Sequence, residues 1–355
     1  MNKAVVSPKN EMRAAALYGA KDIRIISVKS PEISDDEILI EVKACGVCAT
    51  DVKKYAGASK IPKIPFITGH EFSGTVVKVG KSASKFFEEG DRVVGMPVVT
   101  CQKCHSCITG LSSSIGVALC QNYKVIGHSV DGAFAEYVKL PWWAAVKLPE
   151  NLDFVEATLT EPLADCLNGA DKGSVSLGDD VLIIGAGVMG LLTAIACKLR
   201  GADVMISDLL DERLQVAKEI GVDEIVNPTR ESIEEKVKTF TGGRGVNSVI
   251  ISIGGKSIIE NVTSHVRSGG KVVILASIFP PTKVEVDPND LHYRLISMIG
   301  CVSYTFKTFN DALHLIADKK VPLEKIITDR VNLENIKNAF EEVMQKKGLR
   351  HVVVF

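Results

Sequence analysis

An α/β protein of two domains, a barrel-like antiparallel domain and a doubly wound parallel sheet, is predicted by three observations. The first is a change of rhythm near Thr158, from short Val- and Ile-rich segments bounded by Gly, Pro and Asp to apolar strands alternating with amphipathic helical patterns. The second is the length of 355 residues, which at roughly 100–200 residues per domain suggests two domains. The third is the glycine-rich stretch GAGVMG at 185–190, directly after the apolar run VLII.

The elements follow in order. Residues 1–13 contain no apolar run long enough for a signal peptide, so a cytoplasmic location is the expectation. Segments 24–28, 37–42, 74–79, 92–94 and 135–138 read as strands of the antiparallel sheet. Segments 181–185, 204–208, 224–227, 248–253, 271–276 and 296–301 read as strands of the parallel sheet. The stretch 181–199 is apolar enough to resemble a membrane span, but its glycines at 185, 187 and 190 make a strand, a turn and a helix the better reading. Helices over 309–319 and 333–345 and a strand over 351–355 do not extend the βα rhythm. Residues 304–355 are therefore assigned to the first domain, giving 1–157 with 304–355 as one domain and 158–303 as the other. The bulky Trp142-Trp143 pair reads first as core, with an interface or a substrate entrance as the alternatives.

Composition narrows the function. Apolar residues make up 46% and charged residues 24%, a balance that excludes intrinsic disorder and a membrane protein. With 42 Lys and Arg against 43 Asp and Glu, the net charge is −1, and nothing points to nucleic acid or an anionic membrane as partner. Polyanions are poor candidates for a partner. Of the nine cysteines, six fall between Cys45 and Cys120, which in a reducing compartment suggests metal before disulfides.

Three clusters carry chemistry. In GAGVMG, Gly185 permits a tight turn, Gly187 lets the backbone approach a pyrophosphate at the start of the helix opened by Val188 and Met189, and Gly190 allows close packing of helix on strand. Asp208, ending the next strand, can accept hydrogen bonds from ribose hydroxyls and repel a 2′-phosphate, which favours NAD over NADP; it can also act as a cap for a helix near Asp211. Arg213, close by, is the residue type that accommodates such a phosphate. In the second cluster Cys101, Cys104 and Cys107 are spaced C-x2-C-x2-C and Cys120 follows after twelve residues. Four thiolates close a tetrahedral, structural zinc site, with His105 a possible substitute for Cys120. The third cluster is dispersed: Cys48 in CGVCATD, with His70 and Glu71 in GHEFSG. A thiolate, an imidazole and a carboxylate suit a zinc ion with one open position, although each residue alone also has an ordinary structural reading.

GHEFSG at Gly69, GDRV at Gly90, DGAFAEYV at Asp131, EPLA at Glu161 and GAGVMG at Gly185 occur in one order. On these motifs the chain, from about Met12 to Phe355, resembles the zinc-containing medium-chain dehydrogenase family. The resemblance implies a GroES-like β-barrel-type catalytic domain and a Rossmann coenzyme domain, NAD, and one catalytic and one structural zinc. It maps the catalytic ligand to Cys48 rather than Cys45, raises His70 and Glu71 to ligands, and gives Thr50 the position of the hydroxyl that relays the alcohol proton. Glu161 matches a carboxylate that can complete the zinc sphere in the polyol and sorbitol dehydrogenase branch. Two features depart from the pattern: the spacer before Cys120 is longer than is usual in the family, and Cys301-Val302-Ser303-Tyr304 stands where sorbitol dehydrogenase has an Arg-Tyr pair.

The expectation is thus a zinc-dependent oxidoreductase that transfers hydride from a secondary alcohol of a polyol, sugar or cyclitol to NAD, as a tetramer or dimer. The alternatives are a threonine-type amino-alcohol dehydrogenase and, in another class, a non-catalytic NAD- and zinc-binding redox sensor.

Overall fold

The structure, a computed structural model, describes residues 8–355; residues 1–7, on which the signal-peptide reading partly falls, lie outside the described residues. Short turns of helix apart, the chain forms, in order, β1 (Glu11–Gly19), β2 (Asp22–Lys29), β3 (Glu37–Gly46), α1 (Ala49–Tyr55), β4 (Phe66–Ile67), β5 (Glu71–Val79), β6 (Arg92–Gly95), β7 (Val98–Val99), β8 (Lys124–Val125), β9 (Tyr137–Pro141) and β10 (Ala145–Lys147). It continues with α2 (Thr160–Lys172), β11 (Asp180–Ile184), α3 (Val188–Lys198), β12 (Asp203–Ser207), α4 (Asp211–Glu219), β13 (Glu224–Val226), α5 (Ile233–Phe240), β14 (Val246–Ile251), α6 (Lys256–Asn261), β15 (Val266–Ile274), α7 (Pro288–Arg294) and β16 (Ser297–Gly300). The rest is α8 (Phe306–Ala317), β17 (Ile327–Asn332), α9 (Ile336–Met344) and β18 (Arg350–Val354).

The chain divides into two compact units, residues 1–161 with 305–355, and residues 162–304. The sequence reading set the crossings at 157/158 and 303/304. The rhythm changes where α2 approaches, whereas the first crossing lies inside the opening turn of α2.

In the first unit a seven-stranded sheet runs β10-β6-β5-β3-β18-β17, with β9 also paired to β3; β2-β1-β4 and β7-β8 form smaller sheets. Hydrogen bonds from Ala15 N to Phe134 O (2.8 Å) and from Val42 N to Glu136 O (2.9 Å) tie the layers at a barrel-like corner. Leu17, Ile38, Ile40, Val42, Phe66, Phe72, Val76 and Phe134 are wholly buried between them. Strand β18 lies between β3 and the edge strand β17, so residues 350–354 join that edge to the rest of the sheet. Trp142 and Trp143 differ from the reading as core. They form a half-buried turn in which Trp142 stacks on the exposed Phe86 at 3.8 Å and Trp143 Nε1 donates to Thr100 O at 3.2 Å.

The second unit is a six-stranded sheet in the order β13-β12-β11-β14-β15-β16, every neighbouring pair parallel. Both neighbours of β11 are reached by crossovers, and at such a reversal of strand order the carboxyl ends of the strands open a crevice. The turn 185–187 leaves β11 at that point. Leu182, Met205, Val249, Ile251 and Val272 belong to its buried core. Among the described residues, no helix is long and apolar enough to cross a membrane.

Candidate active site

The register of β3 on β5 sets Gly46 opposite Glu71 and Cys45 opposite Phe72. Chain reversal after β3 makes Cys48 the N-cap of α1, with extended backbone at φ −94° and ψ 150°. At Gly69 the chain adopts φ +94°, and His70 then leads into β5, which opens with Glu71; a Cβ on Gly69 would stand 2.8 Å from Phe134 N. One donor atom each from Cys48, His70 and Glu71 thereby lies within 4.8 Å of the others. Gly46 is required by this packing, since a Cβ on it would lie 2.4 Å from Glu71 Oε2.

Two buried charged groups that the sequence reading did not single out orient the cluster. Asp51 Oδ1 accepts from Gly69 N at 3.1 Å and lies 3.5 Å from His70 Nδ1, while Oδ2 accepts from Cys48 N at 3.1 Å. Burial opposes charge on both Asp51 and His70, but their attraction, with Cys48 acting on the imidazole, prevails. It holds the Asp51 carboxyl below its ordinary range and His70 well above its own. Arg350, at the start of β18, lies 2.6 Å from Glu71 Oε2 and donates to Val47 O at 2.8 Å. Burial works against its charge, yet Glu71, Cys48 and Glu161 raise its pKa. Each residue had only a faint signal: an Asp three positions after a candidate ligand, and an Arg opening an apolar strand.

The other candidates fall as follows. The Cys48 thiol donates to Thr50 Oγ1 at 3.6 Å. Glu161 is not among the three residues whose donor atoms converge; it stands in the first turn of α2, close enough to act on Arg350. Cys45 is buried, which pushes its thiol pKa well up and leaves it part of the core. A soft thiolate, an imidazole and a carboxylate converging with one coordination position to spare fit zinc.

Cys101, Cys104, Cys107 and Cys120 also bring their sulfurs within 4.8 Å of one another, with Cys104 Sγ 3.5 Å from Cys107 Sγ and 3.8 Å from Cys120 Sγ. The long spacer is taken up by helical turns at His105–Ile108, Leu111–Ser114 and Val117–Leu119, which return Cys120 to the others. The N–H groups of Lys103 and Cys104 lower Cys101 to about 6 against the effect of burial, and burial raises Cys120 to about 12. This four-sulfur set suits a closed structural zinc site.

The glycine turn has the shape a dinucleotide needs. Gly185 sits at φ +103°, Gly187 is the N-cap of α3, and a Cβ on Gly190 would lie 1.8 Å from Gly185 O. Val188 and Met189 open α3 half-exposed beside the turn. Asp208 does not cap α4, whose N-cap is Leu210. Its Oδ2 accepts from Ala186 N at 2.7 Å and its Oδ1 from Leu210 N at 2.9 Å, which ties the end of β12 to the turn. Arg213 places Nη1 3.7 Å from where a Gly187 Cβ would be, and its buried Nε has no hydrogen-bond partner among the described residues. Free N–H groups at a helix start, room for a phosphate and an adjacent guanidinium fit a pyrophosphate-bearing coenzyme.

Known proteins resemble this chain over nearly its whole length. A family model described as an alcohol dehydrogenase GroES-like domain matches residues 34–150, and one described as zinc-binding dehydrogenase matches residues 188–318. The chain is 31% identical over 348 residues to sorbitol dehydrogenase of Bacillus subtilis, covering 96% of each protein. It is 33% identical over 352 residues to L-threonine 3-dehydrogenase of Pyrococcus abyssi, covering 97% of each. A Sinorhizobium meliloti protein described as a zinc-binding dehydrogenase and solved with NADP superposes with a TM-score of 0.90 at 31% identity, covering 98% of this chain and 100% of that one.

Proposed function

The chain belongs to the zinc-containing medium-chain alcohol dehydrogenase family, and from that premise we propose that it oxidises a secondary alcohol of a polyol, sugar or cyclitol to the ketone, passing the hydride to NAD. The convergence of Cys48, His70 and Glu71 with the Thr50 hydroxyl beside them carries this reading.

In such a donor set, zinc supplies positive charge that favours loss of the alcohol proton. Thr50 would receive that proton and pass it towards solvent, and a bound nicotinamide coenzyme would supply the acceptor for the hydride. Asp51 accepts from His70 and sets which ring nitrogen faces the cation, the role such partners commonly play around ligating histidines. Arg350 holds the Glu71 carboxylate, and Glu161 is proposed as an exchangeable fourth ligand.

On the coenzyme side, Gly187 N and the start of α3 receive the pyrophosphate. Asp208 has spent one lone pair per oxygen on Ala186 and Leu210, leaving others for ribose hydroxyls. Its negative charge favours NAD; Arg213 and the NADP-bound relative make NADP the comparison to run beside it. Similarity to a threonine dehydrogenase supports an amino alcohol as the second reading.

We also infer a homo-oligomer. β16 is the edge strand of its sheet, flanked by Tyr293, Leu295 and Val302, which are 79%, 75% and 72% exposed. An unpaired edge beside apolar side chains is a template for pairing with a second copy.

The test is NADH formation across polyols, inositols, sugar acids, threonine and simple alcohols, with and without a zinc chelator and with NADP in parallel. Chelator-sensitive oxidation of one polyol group with NAD is expected. A Cys48→Ser variant should lose turnover while still binding NAD, and full activity in that variant would overturn the assignment.

A further inference from the structure

Beside the candidate zinc donors lies a buried cation with no part in the reaction as derived. Lys54 is 1% exposed. Its ammonium meets Nδ1 of His128, and among the described residues no carboxylate lies within ion-pair distance of it. Asp51, three residues earlier, is engaged elsewhere by Gly69 N, Cys48 N and His70. A buried ammonium has three donors to satisfy, and here a single imidazole nitrogen meets one of them.

The position of this cation is set by the same elements that set the donors. Thr50 and Lys54 are one turn apart on α1, so both side chains project from one face, about 6 Å apart along the axis. His128 belongs to the turn begun by Gly127, which presses on the residue before His70: a Cβ on Gly127 would stand 2.3 Å from Gly69 O. The charges of Asp51 and Cys48 reach Lys54, and those of Lys54 and His70 reach His128. Burial lowers the Lys54 pKa, and partial desolvation together with the Lys54 charge lowers that of His128. Neutral polyols offer nothing that such a charge would favour over water, whereas an oxyanion does.

We propose that Lys54, positioned by His128, is the oxyanion-recognition group of this site, and that the substrate is a polyol carrying a phosphate monoester or a carboxylate a few carbons from the hydroxyl that is oxidised. The inference rests on the alcohol-oxidising reading above and specifies its substrate. In it, the charged end of the substrate takes the donors of Lys54 left open by His128, with the reacting hydroxyl near Thr50.

The test compares kcat/KM of the zinc-loaded full chain for sorbitol, sorbitol 6-phosphate and gluconate, and for arabitol and arabitol 5-phosphate. The expected result is at least a tenfold preference for an anionic member over its neutral parent, expressed in KM and weakening as salt is raised. A phosphate ester ahead of gluconate identifies phosphate as the oxyanion; the reverse order identifies carboxylate. Lys54→Met should bring the preference close to one. Because a buried position can affect folding, His128→Glu serves as a second variant: its side chain is exposed, and a carboxylate against Lys54 should remove the preference equally. Equal or better oxidation of the neutral polyols, or a preference that survives both variants, overturns the inference and leaves the alcohol reading standing. No oxidation of any alcohol in this or the wider panel overturns that reading and this inference with it.

Discussion

At Glu71 a carboxylate that can meet zinc is also held by a guanidinium. Arg350 and Glu71 are both almost wholly inaccessible, and their contact of 2.6 Å neutralises two charges that the interior would otherwise reject. Removing one partner of such a pair typically costs about 3–5 kcal/mol, because the other charge stays buried alone. Arg350→Met is therefore expected to lower the urea-unfolding free energy by about that much, and Arg350→Met combined with Glu71→Gln by less. A single variant as stable as the parent would show that the pair holds nothing. At this scale the residue types offered Cys48, His70 and Glu71 as candidates, each with an ordinary structural alternative, and it was the family resemblance that raised them to ligands. For Arg350 the sequence offered only an Arg opening an apolar strand, because its backbone contact at Val47 is 303 residues away. For Asp51 it offered only its place three residues after Cys48, and it was silent on Lys54; the importance of both comes from burial and the contacts made there.

Among the elements, the turn between β11 and α3 tolerates least. Gly190→Ala would drive a methyl group to 1.8 Å from Gly185 O, where only backbone could yield. A loss of about 1–3 kcal/mol, the usual range for overpacking, together with weakened NAD binding is expected in denaturation and titration experiments. The N-terminal end of α4 gives a pH signature. Arg230, followed by Asn227, holds the Asp211 carboxyl down at about 2. A depressed carboxyl stabilises the fold above the ordinary carboxylate pKa of about 4, and this contribution fades as pH falls through the folded value. The difference in urea midpoint between the parent and Arg230→Gln should thus be full at neutral pH and close on approaching pH 2; a constant difference would rule this pairing out as its source.

Of the inner strands of the parallel sheet, β11, β12 and β14 were legible as largely apolar runs between turn residues, because both of their faces are covered. β1 was not: its buried centre is Ala14, Ala15 and Ala16, a residue type that favours strands only where neighbours pack closely on it. β17 was missed because most of its side chains are exposed, leaving no alternation to read.

For the molecule as a whole, the four-cysteine lobe and the β16 edge carry separate predictions. A chelator strong enough to strip the lobe should lower the melting temperature, and Cys104→Ser should reproduce the drop without chelator, since metal bound only by the folded chain adds to its stability. The parent should elute as a dimer or larger and Ile299→Lys, which places a charge on the edge strand, as a monomer, as measured by light scattering. A monomeric parent would remove the proposed assembly.

The interleaved order of the two units also matters during synthesis. Residues 162–304 can close their own sheet as soon as they emerge, whereas residues 1–161 cannot complete theirs until β18 arrives to pair with β3. On the ribosome the later-made unit is therefore the first able to finish, and the earlier one waits with the β3 flank uncovered through roughly the whole translation of its neighbour, an interval in which exposed strand edges attract chaperones or aggregate. The segment that ends the wait also delivers Arg350 to Glu71, so the nascent chain cannot assemble its candidate metal cluster in final form before that strand has docked.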